Sequence, residues 1–386
     1  MRASGDRILV THVGSLPRPQ AVVDLLAKKE AGEPYDRAAF DAVMGDAVAG
    51  IVREQVAAGV DVVSDGEQSK PSYATYIKDR LSGFSGDSPA MRGADLEDFP
   101  GYFRKLMARR AGAVKLARPC CTGAVAVKDR APLEADLARF RAALAGSGAT
   151  EGFLNAASPG VIAVFQPNRH YPTQGAYLEA LAEAMRDEYR AIVGAGFVLQ
   201  VDCPDLAMGR HVTYKAATED EFLRHAAAQV EALNHALDGI PPDRVRLHLC
   251  WGNYEGPHHR DIPLERLFGI VMKANAQALL FEAANPRHAH EWAVFAERRR
   301  EIPDDRILVP GVIQSTSNYV EHPALVAERL VRFADIVGRE RVMAGSDCGF
   351  STFAGDGLVD PEICLAKLAA MAEGAAIATG RLWGRR

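Results

Sequence analysis

Short apolar runs alternate with longer amphipathic stretches along almost the whole chain, and this alternation constrains the fold more than any other feature of the sequence. The runs are rich in Val, Ile and Leu, as buried strands are, while the stretches between them repeat apolar residues at helical spacing. Strands that alternate with helices are typical of βαβ units and a parallel sheet. The eight candidate strands are 8–13, 60–64, 153–156, 197–202, 245–250, 278–282, 307–310 and 341–344.

Eight strands with helices between them are what a closed (β/α)₈ barrel requires. Helix boundaries support the pattern, since Thr218 and Glu221 form a capping box and Gly239 ends the same helical stretch. We therefore predict an α/β fold, a single (β/α)₈ TIM barrel over residues 1–386 with an insertion in the third βα unit. The insertion, residues 83–147, is expected to lie over the barrel mouth without forming a separate domain.

Composition narrows the functional class. The 45 basic and 50 acidic residues nearly balance and form no basic tract, so we expect no nucleic-acid partner. We also read no membrane span and no secretory signal from the sequence, and we expect a cytoplasmic protein that does not bind membranes. The six cysteines are then expected to be reduced thiols instead of a disulfide framework.

A His-x-Cys pair ends the fifth candidate strand. Because side chains alternate along a strand, His248 and Cys250 point to the same side, at the end where a barrel collects its catalytic residues. Glu282 ends the sixth strand and Cys348 follows the eighth, so four candidate ligands reach one rim. One nitrogen, two sulfurs and a carboxylate suit tetrahedral Zn²⁺. The spacing also fits a core histidine packed beside core cysteines.

A zinc ion held there would keep a bound thiol deprotonated at neutral pH. The substrate thiol would then act as the nucleophile without a strong protein base. The sequence thus favours an enzyme, a zinc-dependent thiol methyltransferase or alkyltransferase, with no separate acid or base assigned. Its partners would be a small-molecule thiol and an alkyl donor.

Five motifs, in the same order and on the same elements, carry a resemblance to a known family. They are similar to the catalytic half of cobalamin-independent methionine synthase, and more so to the shorter single-barrel members of that superfamily, which include epoxyalkane:coenzyme M transferases. The motifs are THVGSLPRP (11–19), SDGEQ (64–68), LQVDCPDLA (199–207), HLCWGN (248–253) and GSDCGF (345–350).

The resemblance implies a site as well as a fold. It implies that the thiol is homocysteine, whose carboxylate would meet the backbone N–H groups of Gly14 and Ser15. Its ammonium would lie between Glu67 and Asp202, because charge-assisted hydrogen bonds are the strong ones. From the residues alone, both carboxylates also fit ordinary caps of rim loops or helices. The zinc ligands that the resemblance implies are His248, Cys250, Glu282 and Cys348.

Two departures from the family pattern leave the alkyl donor open. Cys203 stands where the family has a Glu, and Thr316 stands where it has a general-acid histidine. A methyl group that leaves an amine nitrogen needs a proton donor, so the folate donor is in doubt. The open donors are a folate, a corrinoid protein, a small methylated metabolite and an epoxide. The histidines that are candidates to replace the acid are His12, His211, His258 and His259.

Two alternative functions therefore stay open beside methyl transfer to homocysteine. The first is an epoxyalkane:coenzyme M transferase or another zinc-dependent thiol alkyltransferase, whose thiol would leave Glu67 and Asp202 without an ammonium to bind. The second is a zinc-binding barrel without catalysis, which the loss of the leaving-group histidine motivates.

Overall fold

The computed structural model describes residues 1–89, 91–110 and 113–384, and eight parallel strands form its central barrel. The sheet order is β1-β10-β9-β8-β7-β6-β5-β2, so consecutive barrel strands are neighbours. All eight predicted strands are confirmed. The strands are β1 (Leu9–Val10), β2 (Val62–Ser64), β3 (Phe84–Ser85), β4 (Cys120–Cys121), β5 (Glu151–Ala157), β6 (Val198–Asp202), β7 (Val245–His248), β8 (Ala278–Phe281), β9 (Ile307–Ile313) and β10 (Met343–Ser346).

Helices connect successive strands and form the outer ring, as the helical spacing of apolar residues predicted. The capping box at Thr218 and Glu221 is present in the structure, at the start of the helix that precedes β7. The helices are α1 (Gln20–Ala31), α2 (Arg37–Ala57), α3 (Ile77–Arg80), α4 (Ala94–Glu97), α5 (Pro100–Arg109), α6 (Ala131–Leu144), α7 (Pro159–Phe165), α8 (Gln174–Gly194), α9 (Gly209–Val212), α10 (Glu219–Ala236), α11 (Leu264–Val271), α12 (Trp292–Glu297), α13 (Pro323–Val337) and α14 (Pro361–Trp383).

Strands β1 and β2, which stand at the two ends of the sheet order, are joined by side chains as well as backbone. Asp61 N donates to Val10 O at 2.9 Å, and Thr11 Oγ1 donates to Val62 O at 2.9 Å. Inside the barrel, the guanidinium of Arg246 lies 4.0 Å from the ring centroid of Phe153 and donates to Thr11 Oγ1 and His12 O. These bonds connect β7 to the chain after β1 in the barrel interior.

Helix α14 differs from the sequence-based expectation on membrane spans, because its length and composition would allow it to cross a membrane. In the structure it packs against α13, β1 and β10. Its inward residues, among them Cys364, Leu368 and Met371, are fully buried in the main core. Packing on the barrel therefore accounts for the apolar face of this helix.

The segment between β2 and β5 includes residues 83–147, for which the sequence predicted an insertion. It contains an antiparallel ribbon of β3 and β4, in which Phe84 pairs with Cys121. Residues 87–89, 91–110 and 113–118, which we call the roof, border the cavity at the C-terminal ends of the barrel strands. Helix α6 packs instead against α2 in the outer ring. The roof thus lies where the predicted site residues end their strands.

Candidate functional site

The two cysteines of the predicted metal site lie close together at the C-terminal ends of β7 and β10. Cys250 Sγ and Cys348 Sγ are 3.8 Å apart, and one ligand atom of His248 lies within 4.8 Å of both sulfurs. Two thiolates bound to one tetrahedral zinc at about 2.3 Å would be about 3.8 Å apart, whereas a disulfide requires about 2.05 Å. The sulfur pair therefore has the spacing of two ligands on one zinc.

His248 presents a free ring nitrogen to this cluster. Its Nδ1 lies 3.2 Å from Asp202 Oδ1, in the β6–β7 register that places Asp202 beside His248. Its Nε2 is buried and has no hydrogen-bond partner among the described residues. A histidine that donates from Nδ1 to a carboxylate offers the Nε2 lone pair to a metal, which is how protein zinc sites orient their histidines.

The charges and burial of the cluster favour a bound cation. Burial alone would lower the pKa of His248, but Asp202 and the Cys250 thiol outweigh it and raise that pKa to about 10. The neighbouring Cys348 and burial hold the pKa of Cys250 well above its ordinary value. Two buried thiols cannot both ionise without a compensating charge, and a divalent ion supplies it. The residues present therefore fit zinc in spacing, orientation and charge.

Glu282, the fourth predicted ligand, lies beside the cluster but is not part of it. Its Oε1 accepts from Trp251 N at 2.9 Å and its Oε2 from Asn285 Nδ2 at 2.7 Å. The loop that follows it is held by Asp347, which accepts from three backbone amides and from the Asn285 side chain. The structure brings three of the four predicted ligands together, and the role of Glu282 stays a prediction.

Three of the predicted substrate-binding residues line the same cavity as the metal cluster. Ser15, Glu67 and Asp202 border this cavity of about 680 Å³ together with His248 and both cysteines. Glu67 Oε2 is buried without a hydrogen-bond partner among the described residues. Burial, opposed in part by Lys70, raises the pKa of Glu67 to about 7. The cavity thus contains an unpaired carboxylate that a substrate cation would satisfy.

Gly14, the fourth predicted substrate-binding residue, uses its N–H within the protein. This N–H donates to His12 Nδ1 at 3.1 Å, while Gly14 O accepts from Ser64 Oγ. Its φ of +143° and its contact with Asn155, where a Cβ would be 2.3 Å from Oδ1, require glycine. The structure therefore explains Gly14 as a turn residue that lets the chain pass close to β5, and its role in carboxylate binding stays a prediction.

Arg18 is a buried cation that supports the loops around the site. Its guanidinium donates to the carbonyl oxygens of Glu67, Lys70 and Ser351 and to Ser351 Oγ. Because all of these acceptors are backbone or hydroxyl groups, Arg18 has a structural role. It connects its own loop to the loop of Glu67 and Lys70 and to the loop of Ser351. One of these loops carries Glu67, a non-glycine residue with a φ of +53°.

Two amide side chains that the sequence analysis did not identify orient Asp202. Asn155 Nδ2 donates to Asp202 Oδ2 at 2.9 Å, and Gln200 Nε2 donates to Asp202 Oδ1 at 2.8 Å. Both amides also donate to Val13 O. The available signal was a polar residue inside each of two otherwise apolar strands, because a barrel interior accepts such a residue only with a partner.

The outer part of the first cavity is apolar and comes largely from the roof. Met91, Leu96 and Phe103 line it from the roof, and Tyr73 and Phe353 line it from the barrel side. These side chains cover the metal cluster, whose three members are all buried. A thiol bound at the cluster would thus be shielded from water, which strengthens the electrostatic interactions there.

A second cavity of about 440 Å³ reaches the cluster from another side. It is bordered by Thr316, His258 and Glu282, and it shares Cys348 and the segment 252–254 with the first cavity. Thr316, which stands where the resembling family has a general acid, therefore faces a cavity that ends at a candidate metal ligand. Cys348 is the point at which the two cavities meet.

Two of the relatives that sequence comparison finds are of nearly the same length as this chain. A methionine synthase of Sulfolobus acidocaldarius is 25% identical over 371 residues, which are 95% of this chain and 91% of that protein. A 2-hydroxypropyl-CoM lyase of Xanthobacter autotrophicus is 26% identical over 414 aligned positions, which cover 99% of this chain and 98% of that protein. The chain thus aligns over nearly its whole length with proteins that differ in activity.

Structural comparison shows the same barrel in solved proteins. A B12-independent methionine synthase from Shewanella sp. W3-18-1, in complex with selenomethionine, matches with a TM-score of 0.74 and 18% identity over 98% of this chain and 99% of that chain. A putative vitamin-B12 independent methionine synthase from Listeria monocytogenes matches with a TM-score of 0.66 and 18% identity over 96% of this chain and 98% of that chain. Both confirm the predicted fold.

The family comparison covers most of the chain and agrees with the motifs at 199–207, 248–253 and 345–350. Residues 86–373 match the catalytic domain of the cobalamin-independent synthases, and this region contains the whole His248, Cys250 and Cys348 cluster. The resemblance recognised in the sequence is thereby confirmed, and the chain belongs to the family of the cobalamin-independent synthase catalytic domain.

Proposed function

We propose that this protein is a zinc-dependent transferase that moves a methyl group to the sulfur of homocysteine. The observation that carries the proposal is the unpartnered Oε2 of Glu67, which lies in the same cavity as the Cys250 and Cys348 sulfurs. A substrate that joins an ammonium to a thiol through a short chain would satisfy both ends of this arrangement.

The metal half of the proposal assigns His248, Cys250 and Cys348 as ligands, with Glu282 as the fourth. When bound, zinc supplies a positive charge that keeps the substrate thiol ionised near neutral pH. Asp202 holds His248 in the tautomer that offers Nε2 to the ion. The roof excludes water around the sulfur, so the thiolate keeps its reactivity toward carbon.

The amine half of the proposal uses Glu67 and Asp202. Asp202 already accepts three hydrogen bonds from protein side chains, whereas one oxygen of Glu67 has no partner in the described structure. Glu67 is therefore the principal ammonium acceptor, with Asp202 adding charge behind it. Ser15, on the same cavity wall, is the proposed contact of the substrate carboxylate, whereas the N–H of Gly14 already donates to His12 Nδ1.

The two relatives described above differ in activity, and the carboxylates of the cavity favour one kind of thiol over another. The Sulfolobus relative is a methionine synthase and the Xanthobacter relative is a 2-hydroxypropyl-CoM lyase. Coenzyme M carries a sulfonate and no ammonium, so it would bring negative charge toward Glu67 and Asp202 without a cation to balance it. Like charges at short range oppose binding, and the site therefore favours the amino-acid thiol.

A matched pair of thiols tests the proposal directly. Homocysteine and 4-mercaptobutanoate differ only in the amine, and calorimetry on the zinc-loaded protein gives the affinity of each. A hydrogen bond to a charged group contributes about 1.5–3 kcal/mol, so the amine should improve affinity by about 10- to 150-fold. In Glu67→Gln that preference should largely disappear, while Glu255→Gln, at an exposed carboxylate, should behave as the wild type.

Three results would contradict the proposal at different points. Purified protein that binds no zinc would remove the metal half. Equal affinity for the two thiols in the wild type would remove the amine half and favour a thiol such as coenzyme M. Full zinc occupancy with no binding of any of these thiols would favour a zinc-binding barrel without catalysis.

A further inference from the structure

A buried chain of histidines and carboxylates lies behind the second cavity. Asp261 Oδ2 accepts from His258 Nδ1 at 2.9 Å and from His288 Nε2 at 3.0 Å. His288 Nδ1 in turn donates to Glu291 Oε2 at 2.8 Å, and its ring stacks on Trp251 with centroids 4.2 Å apart. Trp251 follows the candidate ligand Cys250 directly, so this chain begins beside the metal cluster and ends at the second cavity.

The hydrogen bonds of His258 define its charge. Its Nδ1 faces the Asp261 carboxylate, and its Nε2 faces the carbonyl oxygen of Tyr254 at 3.1 Å. Neither partner has a proton to give, so both ring nitrogens must carry one and the ring is an imidazolium. Burial lowers the pKa of His258, but Asp261 outweighs burial and the pKa is raised above its ordinary value.

The groups that surround His258 are mainly acidic. Asp95 accepts from the His258 backbone N–H at 3.1 Å, and Glu282 adds negative charge from the end of β8. The opposing groups are His288, which shares Asp261, and His211, whose ring centroid is 6.4 Å away and whose pKa is lowered by burial. The carboxylates thus stabilise a proton on His258, and the loop holds the residue at a φ of +52°.

His258 borders the second cavity with Thr316 and Cys348. Besides His258, the described residues that line this cavity include Glu282 and Cys348, which are proposed metal ligands, and Tyr254 and Asp347, which are engaged in other hydrogen bonds. Tyr254 donates its proton to Asp95 Oδ2 at 2.5 Å, and Asp347 accepts four hydrogen bonds from the loop after β8. The proton on His258 is therefore the one that a molecule in this cavity can receive.

The other histidines considered from the sequence are less suited to this role. His12 is fully buried, and burial lowers its pKa to about 4, while its two nitrogens bond Gln55 and the Gly14 N–H. His211 is buried behind Tyr254. His259 is exposed and paired with Asp98.

We propose that the second cavity receives the alkyl donor and that His258 donates the proton which its leaving atom needs. This inference rests on the proposed function. The sulfur lone pair of the thiolate forms a bond to the alkyl carbon, and the electrons of the broken carbon–heteroatom bond go to the leaving atom. That atom takes the Nε2 proton in place of the Tyr254 carbonyl, and the neutral imidazole regains a proton from water. The donor class is an alkyl amine or an epoxide, whose leaving group is strongly basic.

Two simple electrophiles separate this proton transfer from thiol activation. Iodomethane releases iodide, which needs no proton, whereas propylene oxide releases an alkoxide, which does. With zinc-loaded protein and homocysteine, mass spectrometry measures the rate of each S-alkyl product. His258→Gln should slow the propylene oxide reaction about 100-fold, in the range of general acid catalysis, and change the iodomethane rate less than about twofold. His259→Gln, at the exposed neighbour, should change neither rate.

The wild type provides two further readouts that need no substitution. The ratio of the propylene oxide rate to the iodomethane rate should fall as pH rises through the pKa of His258. Nitrogen-15 NMR of histidine-labelled protein should show an imidazolium signal from His258 that persists above the ordinary histidine pKa of about 6.5. That signal should be lost in His258→Gln and in His258→Asn.

The possible outcomes distinguish this inference from the function on which it rests. Equal losses with both electrophiles in His258→Gln, or a neutral His258 ring at pH 6, would overturn the inference and leave the proposed function intact. Failure of homocysteine to be alkylated by either reagent would overturn the proposed function and this inference with it.

Discussion

The exchange of Asp202 for Asn gives a direct test of the link between the barrel interior and the metal cluster. Asp202 accepts from His248 Nδ1, Gln200 Nε2 and Asn155 Nδ2, with two of these bonds on Oδ1 and one on Oδ2. An asparagine keeps the shape but has one oxygen and one NH₂ group. Its oxygen can still face His248, while Asn155 can turn its amide to offer Oδ1, which has no partner among the described residues.

The expected loss in Asp202→Asn is therefore moderate. The charged acceptor behind His248 becomes neutral, so the ring is a poorer ligand and its Nδ1–H tautomer is less favoured. Changes in the groups that orient metal-bound histidines weaken metal affinity by 10- to 100-fold. Because one acceptor is retained, we expect the lower end, about tenfold in zinc affinity, which is about 1.4 kcal/mol. Asp202→Ala removes all three bonds and should reach about 100-fold.

Competition with a chromophoric chelator measures zinc affinity without any substrate. The matched control is Asp205→Asn, since Asp205 is also buried and bonds Ser158 Oγ at 2.7 Å, away from the cluster. A folded Asp202→Asn protein with wild-type zinc affinity would refute the reasoning, because His248 would then not depend on Asp202. An equal loss in the control would show a general effect of removing buried charge.

Three further predictions concern the loops around the cavity. In the wild type, the KM for homocysteine should fall as pH rises from about 6 to about 8. The reason is that the Glu67 carboxyl, whose pKa is about 7, must ionise to hold an ammonium. Steady-state kinetics should show no such change of KM with pH in Glu67→Gln. Gly14→Ala should lower the free energy of unfolding by about 1–3 kcal/mol through its φ of +143° and the Asn155 contact, whereas Gly5→Ala, with no atom within 4 Å, should be neutral in urea denaturation. Asp347→Ala should cost about 3 kcal/mol in the same assay, because three loop amides lose a buried acceptor, and an unchanged midpoint would contradict this assignment.

The barrel and half of the site were predictable because they follow from local patterns. Alternation along a strand places His248 and Cys250 on one side, and the barrel topology brings Cys348 to the same rim. The contact between Asp202 and His248 follows from the parallel register of β6 and β7, which pairs these two residues directly. Such pairing needs the register and cannot be read from either strand alone.

The rest of the site depends on long-range packing that leaves little trace in sequence patterns. From the sequence, His258 and His259 are both candidates for the acid, yet the structure leaves the His258 side chain 13% exposed and the His259 side chain 38% exposed. Asp261 accounts for this difference, because it pairs with His258 and also with His288, which lies 27 positions after Asp261 in the chain. The roof was equally hard to predict, because its apolar residues have neither strand nor long-helix periodicity. Their contribution to the cavity depends on their position over the barrel.

The meeting of two cavities at Cys348 has a consequence for the kinetic scheme. A thiol that fills the first cavity leaves the second open, since the two share only Cys348 and the segment 252–254 among the residues that the structure describes. Both substrates can then be bound at once, and the alkyl group can pass from donor to thiol in one displacement. Initial-rate plots should therefore intersect, as for a ternary complex, and no alkylated protein should accumulate when the donor is supplied alone.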